Sequence, residues 1–339
     1  MMRAAVLNSP KPAGQGPLDL VDRPDPEPGP DEVLVAVETC AVCRTDLQLC
    51  EGDLEAQRLP IVPGHQVVGT VVGLGSDVES GGSGVALTVG DRVGIAWIAS
   101  ACGACHHCRR GYENLCDDGR NTGWHRDGGF APLVTARAGF VVPLPPGFDP
   151  VGAAPLLCGG AIGLRSLRVS GIEPGGRLGL YGFGASATCA IQIAVHRGCE
   201  VYVCTRSEAE QQRARELGAV WTGGYGDLPP ERLDAAVTFA PAGSVVVDAL
   251  RAVDKGGVVA INAIHLDGIP AFDYSLLWGE RQLRSVANVT RADVAELVGL
   301  AAALPVVTRT ETFPLEAANE ALSRLAAGRI SGAAVLRIG

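Results

Sequence analysis

Near residue 155 the pattern of hydrophobic and polar positions changes character. Up to there, short β-type runs are broken by Gly- and Pro-rich stretches: 32–40 (EVLVAVETC), 66–75 (QVVGTVVGLG) and 91–98 (DRVGIAWI). Apolar runs of this length bounded by turn residues predict an irregular β-rich domain over 1–155, with partly coiled, barrel-like strands. Within it, the Gly/Ser-rich segment 76–91 (SDVESGGSGVALTVGD) predicts a surface loop with no chemistry of its own. From 156 onward, apolar strands at 177–183, 200–206, 233–240, 256–264 and 282–288 alternate with helical patterns at 185–198, 207–218 and 244–253. Strand–helix alternation with short turns predicts a doubly wound parallel α/β sheet over 156–290. The tail, 291–339, reads as helices and one last strand that return to the first domain. The chain shows no internal repeat and no low-complexity segment.

Length and charge narrow this picture. A chain of 339 residues exceeds what one hydrophobic core usually serves, which agrees with two domains. A net charge of −9 argues against nucleic acid or an anionic membrane as partner, since both call for clustered positive charge. The opening stretch, MMRAAVLNSP, is not a cationic and apolar leader, and no apolar run is long enough to span a bilayer. The expected location is therefore cytoplasmic, where thiols stay reduced. Eleven cysteines, an odd number, then read as metal ligands and core filler, not as a disulfide framework. Cys40, Cys189, Cys199 and Cys204 are expected in the core.

Four cysteines, Cys102, Cys105, Cys108 and Cys116, fall at spacings of two, two and seven within the lobe 100–118. That arrangement suits a tetrahedral thiolate site, and zinc closed by four sulfurs is its usual occupant. The rival is an iron–sulfur cluster, whose bacterial run ends with a spacing of three and a proline; here Asp117 follows. His106 and His107 lie between ligands and are expected to be exposed, not coordinating. A closed site of this kind stabilises a loop and does no chemistry. A second set, Cys43, His65 and Cys158, comes from three separate segments. Cys, His and Cys would leave a fourth zinc position open, as catalytic zinc requires. Taken singly, Cys158 in an apolar run also suits a core and His65 after a glycine also suits a turn. Asp46 is of the right type to accept a hydrogen bond from the ring nitrogen of His65 that a metal would not use.

The turn Gly182-Phe183-Gly184-Ala185, followed by Ala187, lies between an apolar strand and a helical pattern. A G-x-G-x-x-A turn in that setting offers free N–H groups and a helix N-terminus to a dinucleotide pyrophosphate. About 20 residues further on, an acidic residue would bind the ribose 2′-hydroxyl of NAD. The chain has Thr205, Arg206 and Ser207 there. An arginine and two hydroxyls suit a 2′-phosphate, so NADP(H) is expected in preference to NAD(H). The plainer alternative makes Arg206 a surface charge and leaves the ribose to Glu208 or to nothing.

Residues 64–78, with the pattern G-H-Q-x2-G-x5-G-x2-V, closely resemble the zinc signature of the medium-chain alcohol dehydrogenases. CRTD at 43–46, the four-cysteine lobe, ENLC at 113–116, LLCGG at 156–160 and the glycine-rich turn occur in that family's order. The resemblance covers essentially the whole chain and points to the bacterial and yeast-type branch, near the cinnamyl-alcohol-dehydrogenase-like enzymes. It implies a GroES-like β-rich catalytic domain followed by a Rossmann-type domain. It makes Cys43, His65 and Cys158 the catalytic zinc ligands and the lobe cysteines the structural ones, two zincs per chain. It also implies that Thr45 passes a proton between substrate and cofactor ribose, and that Arg44 and Arg291 contact the pyrophosphate. Trp97 takes the place of a substrate-pocket aromatic, with Cys50 and Trp124 as further pocket candidates. Two positions depart from the family pattern: Gln66 replaces a Glu that can approach the zinc, and Gln48 replaces a His that ends the proton relay. The implied activity is hydride transfer between NADP(H) and an alcohol or carbonyl substrate, in a homo-oligomer (dimer or tetramer). The alternatives are a reductase of an imine or activated alkene, a zinc-free enoyl or quinone reductase, and a zinc-ribbon binding module without catalysis.

Overall fold

The longest strand, Glu32–Val42, organises the first half of the protein. Val33, Val35 and Val37 are buried along it while the residues between them are partly exposed, so one pleated face meets the core. It pairs antiparallel with Val67–Leu74, Leu133–Arg137 and Ala333–Arg337. The computed structural model describes every residue except 83, 264, 265 and 305, so the last residue of the predicted strand 256–264 and one residue of the loop 76–91 lie outside the description. The chain divides into two compact units, one of residues 1–158 and 289–339, the other of 159–288.

In the first unit a seven-stranded sheet runs in the order Thr310–Pro314, Ala333–Arg337, Glu32–Val42, Val67–Leu74, Arg92–Ile95, Val141–Pro143, with Leu133–Arg137 paired off this path. The mixed sheet encloses a core that includes Val35, Leu47, Ile61, Phe130 and Leu336. The tail contributes the helices Arg291–Ala303 and Ala318–Ala326 besides its two strands.

The second unit is a six-stranded parallel sheet in the order Ala219–Gly223, Glu200–Cys204, Arg177–Tyr181, Leu233–Thr238, Val253–Ile261, Gln282–Ser285. The order reverses between Arg177–Tyr181 and Leu233–Thr238, which is the switch point of a doubly wound fold. The sheet read from strand–helix alternation is therefore present, with two additions. One is the short strand Ala219–Gly223. The other is the helix Gly159–Ser170, whose three glycines disguise it as a turn. At Gly163 a Cβ would stand 2.9 Å from the Ser186 carbonyl oxygen, so close packing on the helix Ala185–His196 excludes a larger residue there. Among the described residues no single helix is long and apolar enough to cross a membrane.

Candidate functional site

The strand Glu32–Val42 delivers Cys43 as the N-cap of the helix Arg44–Glu51. Asp46, in the first turn of that helix, is buried and binds three donors. The Cys43 backbone N–H donates to Oδ2 (2.8 Å), the Gly64 N–H donates to Oδ1 (3.1 Å), and His65 Nδ1 lies 3.0 Å from the same Oδ1. A buried carboxylate is costly unless its oxygens are satisfied, and these contacts satisfy it. They also tie two ligand-bearing segments to one side chain. Gly64 adopts φ 98°, and a Cβ there would fall 2.4 Å from the Phe130 ring, so the approach to His65 requires glycine.

The donor atoms of Cys43, His65 and Cys158 all lie within 4.8 Å of one another. The two sulfurs are 4.0 Å apart, while tetrahedral zinc with bonds of about 2.3 Å sets two sulfurs about 3.8 Å apart. His65 Nε2 is buried and has no hydrogen-bond partner among the described residues. A buried ring nitrogen without a hydrogen-bond partner, close to two cysteine sulfurs, fits a metal ligand. The electrostatics agree. A hydrogen bond from the Cys158 thiol holds Cys43 well below the usual thiol range, and that contact, with burial, raises Cys158. Burial opposes a charge on His65, but the Asp46 carboxylate and the Cys43 sulfur outweigh it and raise the ring to about 10. The same donor set takes a divalent cation in place of those protons.

The four lobe sulfurs also lie within 4.8 Å of one another, a spacing sized for one ion, not for a multi-iron cluster. Backbone N–H groups of Cys105, Cys108 and Cys102 point at the sulfurs of Cys102, Cys105 and Cys116, at 3.2, 3.4 and 3.4 Å. Backbone N–H groups of Ala104 and Cys105 lower Cys102 to about 7, favouring the thiolate a metal needs. His106 is exposed, and neither it nor His107 belongs to the donor set. Cys40, Cys189, Cys199 and Cys204 are buried free thiols.

One assignment changes at the lobe. The family resemblance gives Arg291 to the cofactor pyrophosphate; the structure pairs it with Glu113. The Glu113 carboxylate accepts from the Arg291 backbone N–H (2.7 Å) and from its guanidinium Nη2 (2.7 Å). Arg291 further donates to the Gly139 carbonyl (3.0 Å) and lies 4.3 Å from the Phe140 ring centroid. Glu113 thus caps the helix Arg291–Ala303 and fastens the lobe to it. No local pattern announces that role, because the partners are 178 residues apart.

Around the Cys43 set, Trp97 meets His65 edge-on with ring centroids 4.8 Å apart, and Trp124 stacks on Trp97 at 5.7 Å. Trp124 Nε1 donates to the Glu55 carbonyl (2.8 Å), which holds that stack in place. Thr45 is buried, its oxygen 3.8 Å from the Cys43 sulfur. Gln66 is buried and its amide donates to the Ala41 carbonyl at 3.4 Å. Gln48 is half-buried and Arg44 exposed. Cys50 corrects a second expectation: it is 0% exposed within the hydrophobic core, and so is a packing residue and not part of a pocket.

In the second unit, Gly182 and Gly184 are glycines for different reasons. Gly182 has φ 91°, and a Cβ on it would stand 2.9 Å from the Ala240 backbone nitrogen. Gly184 is the exposed N-cap of the helix Ala185–His196, and a Cβ there would meet nothing within 4 Å. Protein packing therefore explains the first, while the open space at the second fits a pyrophosphate approaching the backbone. Phe183 is buried beneath the turn and Ala185 exposed on it. At the end of the next strand, the buried Thr205 hydroxyl donates to Glu210, and Ser207 caps the helix Glu208–Glu216 by accepting from the Glu210 N–H (3.3 Å). The Thr205 hydroxyl proton is already given to Glu210, whereas Ser207 is used only as an acceptor and keeps its O–H as a donor beside Arg206. Arg206 is exposed, with its guanidinium carbon 5.9 Å from the Tyr225 ring centroid.

Comparison with known proteins agrees with this arrangement. Residues 29–146 match the family model described as the alcohol dehydrogenase GroES-like domain, and 187–303 the one described as zinc-binding dehydrogenase. The chain is 48% identical over 338 residues to a probable alcohol dehydrogenase, AdhA, of Mycobacterium tuberculosis, covering 99% of this chain and 97% of that protein. It is 37% identical to an alcohol dehydrogenase of Geobacillus stearothermophilus, covering 99% of each. A cinnamyl alcohol dehydrogenase of Sorghum bicolor superposes with a TM-score of 0.87 over 99% of this chain and 97% of its own; at 24% identity that likeness speaks to the fold. By these matches the chain belongs to the zinc-containing medium-chain alcohol dehydrogenase family.

Proposed function

We propose that this protein is a zinc-dependent, NAD(P)-dependent alcohol dehydrogenase that interconverts an alcohol with its aldehyde or ketone and favours NADP(H). The convergence of Cys43, His65 and Cys158 on one point, with His65 Nε2 unpaired and Nδ1 held by Asp46, carries this reading. Zinc held by those residues would polarise the substrate oxygen as a Lewis acid, and the nicotinamide would accept or return the hydride. The chain supplies the rest. Asp46 fixes the His65 tautomer. Thr45, beside the Cys43 sulfur, takes and returns the hydroxyl proton of the alcohol. Trp97 and Trp124 wall the substrate with aromatic faces. The turn Gly182-Phe183-Gly184-Ala185 receives the pyrophosphate, with Arg44 as a further cation, and Arg206 favours a 2′-phosphate.

Gln48 and Gln66 support a second reading, reduction of an imine or an activated alkene on the same scaffold. Gln48 cannot hold a proton near neutral pH, so the usual outlet for an alcohol's proton is missing, and Gln66 brings no charge where the family has a Glu that can approach the zinc. Free cysteines throughout the chain suit a reducing cytoplasm. A dimer or tetramer is supported by the edge strand Gln282–Ser285 and the nearby exposed Tyr274 and Trp278, and light scattering would test it. The decisive assay follows nicotinamide absorbance with purified protein across alcohols, aldehydes, ketones, cyclic imines and enones. Turnover of alcohols or carbonyls that Cys158→Ser abolishes supports the main reading. Turnover of imines or enones alone overturns it.

A further inference from the structure

We infer that Glu210 is a cofactor-selecting residue, placed to accept a hydrogen bond from the adenosine ribose 2′-hydroxyl and to repel a 2′-phosphate. The inference rests on the dinucleotide-binding reading above. In doubly wound nucleotide folds the acid that reads this hydroxyl stands about 20 residues beyond the glycine turn, at the end of the second strand. Thr205 occupies that position here, immediately after the strand Glu200–Cys204. Its hydroxyl donates directly to the Glu210 carboxylate. A carboxylate is thus brought to the strand end from the first turn of the following helix, and five residues of sequence conceal it.

The carboxylate has a plainer use that the structure shows it does not take. Ser207-x-x-Glu210 is a capping-box sequence, in which the glutamate should accept from the N–H of the capping serine. The helices Arg44–Glu51 and Arg291–Ala303 show both halves of such a box. The helix Glu208–Glu216 shows only one: Ser207 accepts from the Glu210 N–H, while the Glu210 side chain turns to Thr205. Thr205 uses one of the acceptor sites on the two carboxylate oxygens, which leaves others for a sugar hydroxyl. Among the described residues no ion pair joins Arg206 to an acid; its recorded neighbour is the face of Tyr225. Two opposed charges therefore border the same strand end without neutralising one another. Arg206 favours the phosphate, Glu210 the hydroxyl, and the preference for NADP(H) is narrowed by Glu210 so that NAD(H) remains a competent ligand.

The test measures dissociation constants of NADPH and NADH with the full chain by nicotinamide fluorescence, and of 2′,5′-ADP and 5′-AMP by calorimetry. Glu210→Gln should tighten NADPH and 2′,5′-ADP about tenfold, an effect that added salt diminishes, while NADH and 5′-AMP stay equal or weaken. Glu210→Lys should extend the change in the same direction. An unchanged ratio of NADPH to NADH affinity in both variants overturns the role of Glu210 and leaves the dinucleotide reading standing. Failure of wild-type protein to bind either dinucleotide overturns both. Arg206→Ala separates the remaining case: it should weaken NADPH alone, and equal loss of both cofactors removes Arg206 from the selection while leaving Glu210 to be judged by its own variants.

Discussion

A single buried carboxylate, Asp46, holds three parts of the site in register, and its substitution shows what that is worth. In Asp46→Asn the side-chain NH2 must face either the Cys43 N–H, the Gly64 N–H or His65 Nδ1, setting donor against donor. Loss of a carboxylate behind a metal-binding histidine commonly costs about 10- to 100-fold in metal affinity. The expected outcome is loss of metal from the Cys43 set under mild chelation, with the lobe metal retained, read by elemental analysis of dialysed protein. Gln48 gives a second residue-scale test. Gln48→His adds an ionisable group with a reference pKa near 6.5, which should raise alcohol oxidation near neutral pH and add an inflection to its profile. An unaltered profile would mean that protons do not leave by that route. At this scale the sequence was legible where chemistry dictates residue type: the lobe cysteines stand out by kind and spacing, and Cys43, His65 and Asp46 by kind and by their place in the family's motifs. It was illegible where only the fold chooses partners. Arg291 reads as a pyrophosphate contact until Glu113 is seen beside it, and Cys50 reads as a pocket residue until it is found wrapped in core.

Elements were readable where polar and apolar positions alternate cleanly, and hidden where packing overrides propensity. Five of the six strands of the parallel sheet announce themselves, four of them because buried strands of such a sheet are nearly continuous apolar runs. The helix Gly159–Ser170 does not, because glycine is the signal of a turn and here serves close helix packing. Gly163→Ala tests that cause: the added methyl would press on the Ser186 carbonyl, and overpacking of this sort costs about 1–3 kcal/mol. Lowered thermal stability with dinucleotide affinity largely kept is expected; a stabilised variant would mean that ordinary helix propensity governs the site. The strand Ala219–Gly223 is equally quiet, ending in a glycine and exposing Val220. The lobe supplies the other element-scale prediction. Glu113→Ala removes a carboxylate that both caps a helix and binds a guanidinium, leaving Arg291 with its contacts to Gly139 and Phe140. Hydrogen bonds to charged groups contribute about 1.5–3 kcal/mol each, and part-exposed pairs less. A loss of roughly 2 kcal/mol in unfolding free energy is therefore expected. A change too small to measure would leave the lobe anchored by its metal alone.

Over the whole molecule, the sequence order of motifs conveys the two-part plan, but not that Cys43 and Cys158, 115 residues apart, come within 4.0 Å. That convergence divides the metals into two kinds, and the division can be tested directly. Three donors around one point leave an open position, whereas four sulfurs close theirs, so analysis should find about two zincs per chain. Cys158→Ser removes a donor from the open set, which is carried by the buried Asp46–His65 frame and not by the metal alone. The protein should keep its fold and its lobe metal, bind dinucleotide, and lose turnover. Cys105→Ser breaks the closed set, whose sulfurs also receive the backbone N–H groups that shape the lobe. There the lobe metal should be lost and thermal stability should fall, while the Cys43 set keeps its ion. Each variant thus predicts a different missing metal and a different missing property. If both lose the same metal, or both lose stability and activity together, the two sites are not separate in function and the closed lobe takes part in the chemistry.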